Sequence, residues 1–308
     1  MSTPRHGNAT WQALRRDPGA MSGLCVLLLL VLVAIAGAVV TDLTAWFDPA
    51  EIRLTEKLLP PLSRPSADLD PILLPALGVY LLGTDDLGRD VFARMLQGSA
   101  VSLSIGFVAM GIAVAVGVLL GAIAGFHGDK RLGPVSLDSV IMRFTDVMLC
   151  FPSFFLVLTV IALLPPSIYY IMVVLGLTGW MGIARFVRAE LLTLRQRDFV
   201  LAARACGIPA RRIILVHLLP NAVGPVLVTA TLAVAGAILT ESALSFLGFG
   251  VQPPDATWGN ILADGRAYIF DAPWLFFIPG AAIFAVVLAF NLVGEGIREA
   301  SDPRLRRL

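Results

Sequence analysis

The chain has 308 residues, 57% of them hydrophobic and only 15% charged, with a mean hydropathy of +0.83. Soluble domains carry about 25% charged residues, so most of this chain is solvated by lipid. A formal net charge of +1 gives no basic excess for binding nucleic acid. The three cysteines are far apart, as are His6, His127 and His217, so neither a disulfide framework, a compact metal site nor a His-based triad can be assembled from nearby residues.

A segment of residues 1–22 with Arg5, Arg15 and Arg16 leads into the first apolar run, Gly23 to Thr41. That run is near the roughly 20 residues a spanning helix needs and exceeds the 7–15 residues typical of a signal-peptide core, so it is expected to be a retained span. Residues 42–98 follow, rich in proline, and are expected to form an irregular extracytoplasmic loop rather than a folded domain. Near its end, Asp90–Gln97 has the pattern of a short amphipathic helix.

Five further runs lie at Val101–Phe126, Phe144–Leu163, Ile168–Ala184, Ala222–Ser245 and Trp274–Val293. The expected architecture is therefore an all-α polytopic membrane protein with six transmembrane helices, five of them in residues 99–293. Lys and Arg are retained on the cytoplasmic side of short loops. With the N-terminus inside, 16 of the 23 basic residues fall in cytoplasmic segments and 6 outside, with Arg143 at a boundary. Both termini, including the 294–308 tail, are thus expected in the cytoplasm.

In the second run, Gly117, Gly121 and Gly125 fall four apart on one helix face, the spacing that lets another helix approach closely. Glycine is also common in membrane helices generally, so close packing and generic usage are both open. At the start of the third, Arg143 and Asp146 have the spacing of an ion pair at the membrane edge, with Asp138 nearby. Glu241 lies near the outer end of an otherwise uncharged span, where an acidic side chain needs a partner, a water-filled cavity or a proton. Two readings stand open: it lines a passage or gate, or its hydrogen bond caps the following Gly-rich loop.

The segment 197–221 lies between the fourth and fifth runs. Ala202, Ala203 and Ala205 favour a helix, Gly207 can end it in a left-handed conformation, and Pro209 suits the start of a second, with Pro220 before the next span. The expected helix, turn and helix would serve either as a docking knob for another protein or as an interfacial connector.

Ala202-Ala203, then Gly207, then Leu219-Pro220 resembles the EAA loop of binding-protein-dependent ABC importer permeases of prokaryotes. The pattern departs at Leu201, where an acidic residue is usual, and at His217, where isoleucine is usual; His217-Leu-Leu-Pro-Asn221 is itself similar to the dipeptide/oligopeptide branch. Gly83-Thr-Asp-Asp-Leu-Gly-Arg-Asp-Val91, Met142-Arg-Phe-Thr-Asp146 with Phe151-Pro152, Leu244–Pro254 with Trp258-Gly259, and Asp302-Pro-Arg-Leu305 resemble further signatures of that branch, of its C-type subunit in particular.

The resemblance implies a type I ABC importer permease fold and a non-catalytic subunit forming half of a passage. It implies as partners a second, homologous permease, two ATP-binding subunits and an extracytoplasmic substrate-binding protein, in the bilayer of a prokaryotic inner membrane. The chain has no GxxxxGK[ST] loop, so no cofactor is expected in it, and ATP with Mg2+ would be held by the partner ATPases. Leu201, Ala202, Ala203, Arg204, Gly207, Arg211, Arg212, His217 and Pro220 map onto the element that contacts them. Nickel and antimicrobial-peptide importers share the same pattern. A self-contained channel or secondary transporter is the competing class that apolar spans alone would allow.

Overall fold

The computed structural model describes residues 12, 14–43, 47–66, 74, 75, 77–128, 131, 132 and 134–301. The Asp302–Leu305 signature lies outside the described residues, as do Arg5, Lys130, Arg304, Arg306 and Arg307. Helices dominate: α1 (Pro18–Leu43), α2 (Val91–His127), α3 (Leu137–Leu149), α4 (Ser153–Ala162), α5 (Ile168–Leu194), α6 (Asp198–Ala205), α7 (Ala210–Phe246), α8 (Trp258–Gly265) and α9 (Trp274–Ser301). A two-residue antiparallel pair, β1 (Arg131–Leu132) with β2 (Val135–Ser136), links α2 to α3.

Among the described residues, α1, α2, α5, α7 and α9 are each long and apolar enough to cross a membrane. The third expected span departs from a straight rod. α3 and α4 meet at 78° around Cys150–Pro152, so the sixth crossing, if the pair is one, is broken. Proline supplies no N–H and disfavours the α conformation in the residue before it, here Phe151, which interrupts the ladder. The apolar run continues across the break, which is why composition concealed it.

The other boundaries shift for identifiable reasons. Asp90 caps α2, its Oδ1 accepting from the Phe92 amide at 2.8 Å, so the short helix expected at Asp90–Gln97 forms the first turns of the second span. At 37 residues α2 extends about 55 Å, well beyond a hydrocarbon core of about 30 Å. α5 runs unbroken to Leu194, joining the fourth apolar run to the Arg-rich stretch after it.

The spine of the bundle is the α2–α5 pair. A Cβ on Gly117, Gly121 or Gly125 would stand 2.7, 2.6 or 2.9 Å from atoms of Ile183, Ala184 or Leu191 respectively, so the glycine face is the contact face and the packing reading holds. α1 packs along α9, with Ala20 against Gly296, placing the starts of α1 and of α7 and the ends of α2, α5 and α9 at one end of the bundle, called here the Gly207 end. The opposite, Tyr80 end holds the loop 47–90 and α8.

The described residues of that loop form no long helix or strand, and they are packed rather than open. Isolated bridges join Ser63 to Tyr80 and Thr84 to Asp90, and Glu56, Tyr80, Thr84 and Asp85 are fully buried. Burial pushes the Tyr80 hydroxyl up to about 12. Gly88, at φ +74°, leaves no alternative residue: a Cβ there would lie 1.8 Å from the Arg53 carbonyl oxygen.

Candidate functional site

Three arrangements carry the chemistry of the molecule. The first is the segment around Gly207. Val200 and Ala203 of α6 are buried in one cluster with Ile183, Val187 and Leu191 of α5 and Ile213 and Leu218 of α7. Phe199, Leu201, Ala202 and Ala205 are exposed on the other side, so α6 is a short helix with one face rooted in the bundle and one presented outward. Its end is a Schellman turn: the Gly207 amide donates to the Arg204 carbonyl at 2.9 Å and the Ile208 amide to the Ala203 carbonyl at 3.1 Å, with Gly207 at φ +73°. The left-handed glycine expected from the sequence is therefore in place. Arg204 lies across α2, its guanidinium 4.9 Å from the centre of the Phe126 ring.

The expected second short helix is not separate. Ala210 opens α7, which continues through a π-helical stretch, Ile213–Leu218, and past Pro220 into the span itself. Pro220 contributes no N–H, and the Asn221 side-chain amide donates to the His217 carbonyl at 2.6 Å, so wider-pitch bonding and a side chain satisfy the carbonyls there. Arg211 and Arg212 are exposed in the first turn of α7 and His217 is half-buried.

The second arrangement is a cavity of about 350 Å3 between α2, α3, α4, α5 and α7, lined among others by Met110, Phe154, Thr178, Gly182, Gly236 and Thr240. Glu241 is next to Thr240 but is absent from that lining. It is fully buried, its Oε1 accepts from the Ser245 hydroxyl at 2.7 Å, and the Thr257 and Ser242 hydroxyls lie beside the carboxyl. Thr257 caps α8, accepting from the Asn260 amide. Glu241 thus sits between α7 and the start of α8, the geometry of the loop-capping reading. Glu241→Gln, which keeps hydrogen-bonding oxygen and shape, is expected to retain uptake at matched expression. Glu241→Leu, which strands the buried Ser245 hydroxyl at about 1–3 kcal/mol, should lower both thermal stability and uptake; equal behaviour of the two variants would dismiss this role.

The third arrangement is an ion cluster at the Tyr80 end. Asp85 Oδ2 accepts from Arg89 Nε at 2.7 Å and Arg94 Nη1 at 2.6 Å, while its Oδ1 accepts from the backbone amides of Leu87 and Arg89. Both arginines reach on to Asp264 of α8, at 3.3 and 3.0 Å. The two arginines, shared between Asp85 and Asp264, thereby tie the loop, α2 and α8 together. Asp86, half-buried beside it, is held above the usual carboxylate range by burial and then by the neighbouring Asp85. Removing one member of a buried ion network leaves uncompensated charge at a cost of about 3–5 kcal/mol. Asp85→Ala is accordingly expected to expose residues 47–90 to protease and to lower the unfolding temperature, whereas Asp264→Asn, at a partly exposed position, should do much less.

The pairing expected between Arg143 and Asp146 is replaced. Asp146 pairs with Arg185 and Asp138 with Arg188, both on α5. Backbone spacing within one helix permitted the local pair; the packing of α3 against α5 supplies arginines across the helix interface instead. The sequence reading also missed the cavity residues and Asp264. Small residues in an apolar run give no sign that they face a void, and Asp264 is 179 residues from Asp85.

Comparison with known proteins bears on these features together. The profile of the family described as "Binding-protein-dependent transport system inner membrane component" matches residues 117–307, more than half of the chain. The chain belongs to that family. A second profile, "N-terminal TM domain of oligopeptide transport permease C", matches residues 8–61. The permease is 39% identical to the di/tripeptide transport system permease protein DppC of Pseudomonas aeruginosa, over 96% of this chain and 91% of that protein. It is 36% identical to the oligopeptide transport system permease protein OppC of Bacillus subtilis, over 95% and 88%. Its fold is shared with a structure of the MetNI methionine ABC transporter in an inward-facing conformation, at a TM-score of 0.55 and 17% identity, covering 69% of this chain and 98% of that one. The chain is therefore a multi-pass inner-membrane permease subunit of an ABC importer, and its family is one of transport subunits rather than catalysts.

Proposed function

We propose that this permease forms half of the passage of a dipeptide or oligopeptide importer, pairing with a second, homologous permease. Two separate ATPase subunits bind ATP and Mg2+, and an extracytoplasmic binding protein delivers the peptide. The observation that carries this reading is the mechanical continuity of α6 with α7. The exposed face of α6 is rooted through Val200, Ala203, Ile213 and Leu218 in the start of α7, and α7 further along lines the central cavity through Gly236 and Thr240. Pressure on the face bearing Leu201, Ala202 and Gly207 displaces a cavity wall. Arg204 and Arg212 frame that face, His217 and Pro220 shape the π-helical joint, and the ATPases dock there.

The peptide substrate is supported by the names of relatives over nearly the full chain. Reconstitution with the two ATPases, the second permease and the binding protein is expected to give ATP-dependent accumulation of a labelled dipeptide. Accumulation by this chain alone, without ATPases, would establish a self-contained transporter instead.

The Gly207 end, with both termini, faces the cytoplasm in this reading, in keeping with the partition of Lys and Arg. A cysteine placed at exposed Arg64 should react with a membrane-impermeant thiol reagent in intact cells, and one at exposed Thr193 should not. The reverse labelling pattern would invert the topology.

A further inference from the structure

A groove of about 580 Å3 runs along the outside of the bundle near the Gly207 end, between the second half of α2 and the first turns of α7. Its walls are apolar, with Val118, Leu119 and Ile123 on α2 and Leu215 on the π-helical stretch, and its polar members are His127, the last residue of α2, and Arg211, in the first turn of α7. We propose that it is a binding site for one anionic phospholipid, the acyl chain lying along the groove and the phosphate meeting Arg211. Two observations converge on this occupant.

Leu119 and Leu215 are more than half exposed, and α2 and α7 are both spanning helices, so the medium that meets this groove is lipid rather than water. The charge is asymmetric: Arg211 stands at the helix end where headgroups lie, and apart from His127 the rest of the lining is hydrocarbon, the complement of an acidic amphipath.

The site also separates Arg211 from the outward face of α6. Its guanidinium serves the membrane, and α6 and Gly207 serve the partner. A lipid clasped between α2 and the π-helical joint would brace the element through which α7 moves.

The test uses the permease purified with its partner subunits, delipidated and then equilibrated with mixtures of phosphatidylglycerol and phosphatidylcholine, bound lipid being counted by native mass spectrometry. The wild type should retain phosphatidylglycerol in preference to phosphatidylcholine. Arg211→Gln should lower that preference about fivefold while leaving phosphatidylcholine retention unchanged, the effect expected of one basic residue at a headgroup. Leu119→Trp, which fills the groove, should lose both lipids with subunit assembly intact; if it fails to assemble, Ala115→Phe on the same exposed wall carries the same arm. Equal retention of the two lipids by the wild type, or an unchanged preference in Arg211→Gln, would overturn the proposal. So would efficient cross-linking of a cysteine at Leu119 to the second permease, which would show that protein covers the groove.

Discussion

Gly207→Val is expected to leave the permease inserted and folded while abolishing co-purification of the ATPase subunits or uncoupling their hydrolysis from uptake. The residue sits at φ +73°, and a Cβ there would meet nothing within 4 Å, so the damage comes from backbone conformation alone. A left-handed residue with a Cβ costs about 1–2 kcal/mol, and a β-branched side chain resists that region most strongly. The strain can be relieved only by opening the Schellman turn, which rotates α6 away from α7. Bundle stability is little affected, because the buried contacts of Val200 and Ala203 precede the turn.

The substitution series makes the argument specific. Gly207→Asn, the non-glycine residue that tolerates this conformation best, should retain most coupling, Gly207→Ala should fall between, and Arg211→Ala should do less than Gly207→Val. Single exposed ion pairs are worth about 0–1 kcal/mol, so a docking helix that presents Leu201, Ala202 and Ala205 depends on shape before charge. Substrate-stimulated ATP turnover in reconstituted vesicles reads the result. Coupled uptake by Gly207→Val with its ATPases bound would remove this turn from the transmission path.

What the sequence revealed and what it concealed divide along the range of the interactions. Apolar runs, the glycine ladder of α2 and the left-handed Gly207 are local: each depends on residues within one or two turns, and each was legible. The membrane class followed from composition alone, because no soluble domain tolerates so few charges. Partners distant in sequence were not legible. Asp138 and Asp146 find Arg188 and Arg185 only because α3 folds back against α5. Arg94, paired with Asp85, reaches Asp264 only because α8 closes over the loop.

Two local features were misread for a different reason. Pro152 breaks the third run and Pro220 fails to separate the expected second short helix from the fifth, although both lack the same N–H. At Pro152 the chain turns by 78°, whereas at Pro220 a π-helical stretch and the Asn221 side chain absorb the missing bond and the helix continues. Helix propensity ranks proline but does not say whether neighbouring donors will compensate. The open question over Glu241 was likewise one of direction: one position along the helix from Thr240, about 100° of rotation, turns a span residue from the cavity to a packed interface.

The largest structural effect is expected at Gly121. A Cβ there would stand 2.6 Å from the Ala184 carbonyl oxygen and 2.8 Å from Val187 Cβ, so the obstacle is the backbone of α5 and a branched side chain beside it. Neither can swing aside as the end of a long side chain could. Gly117 and Gly125 repeat the close approach one turn on either side, and Gly176 returns it from α5 onto Ala109 and Ile112. The two helices therefore cannot part locally to accept a bulky residue. Without a hydrophobic driving force between helices in lipid, this close contact is the main source of their association. Gly121→Leu should lower the unfolding free energy in a detergent-to-SDS titration by about 1–3 kcal/mol and reduce the amount of inserted protein. Gly111→Ala, on the same helix with open space around its Cβ, is the matched control and should be neutral or slightly stabilising. The same loss from both substitutions would mean that α2 tolerates no change of any kind, and equal tolerance of both would mean that the α2–α5 contact is looser than these distances require.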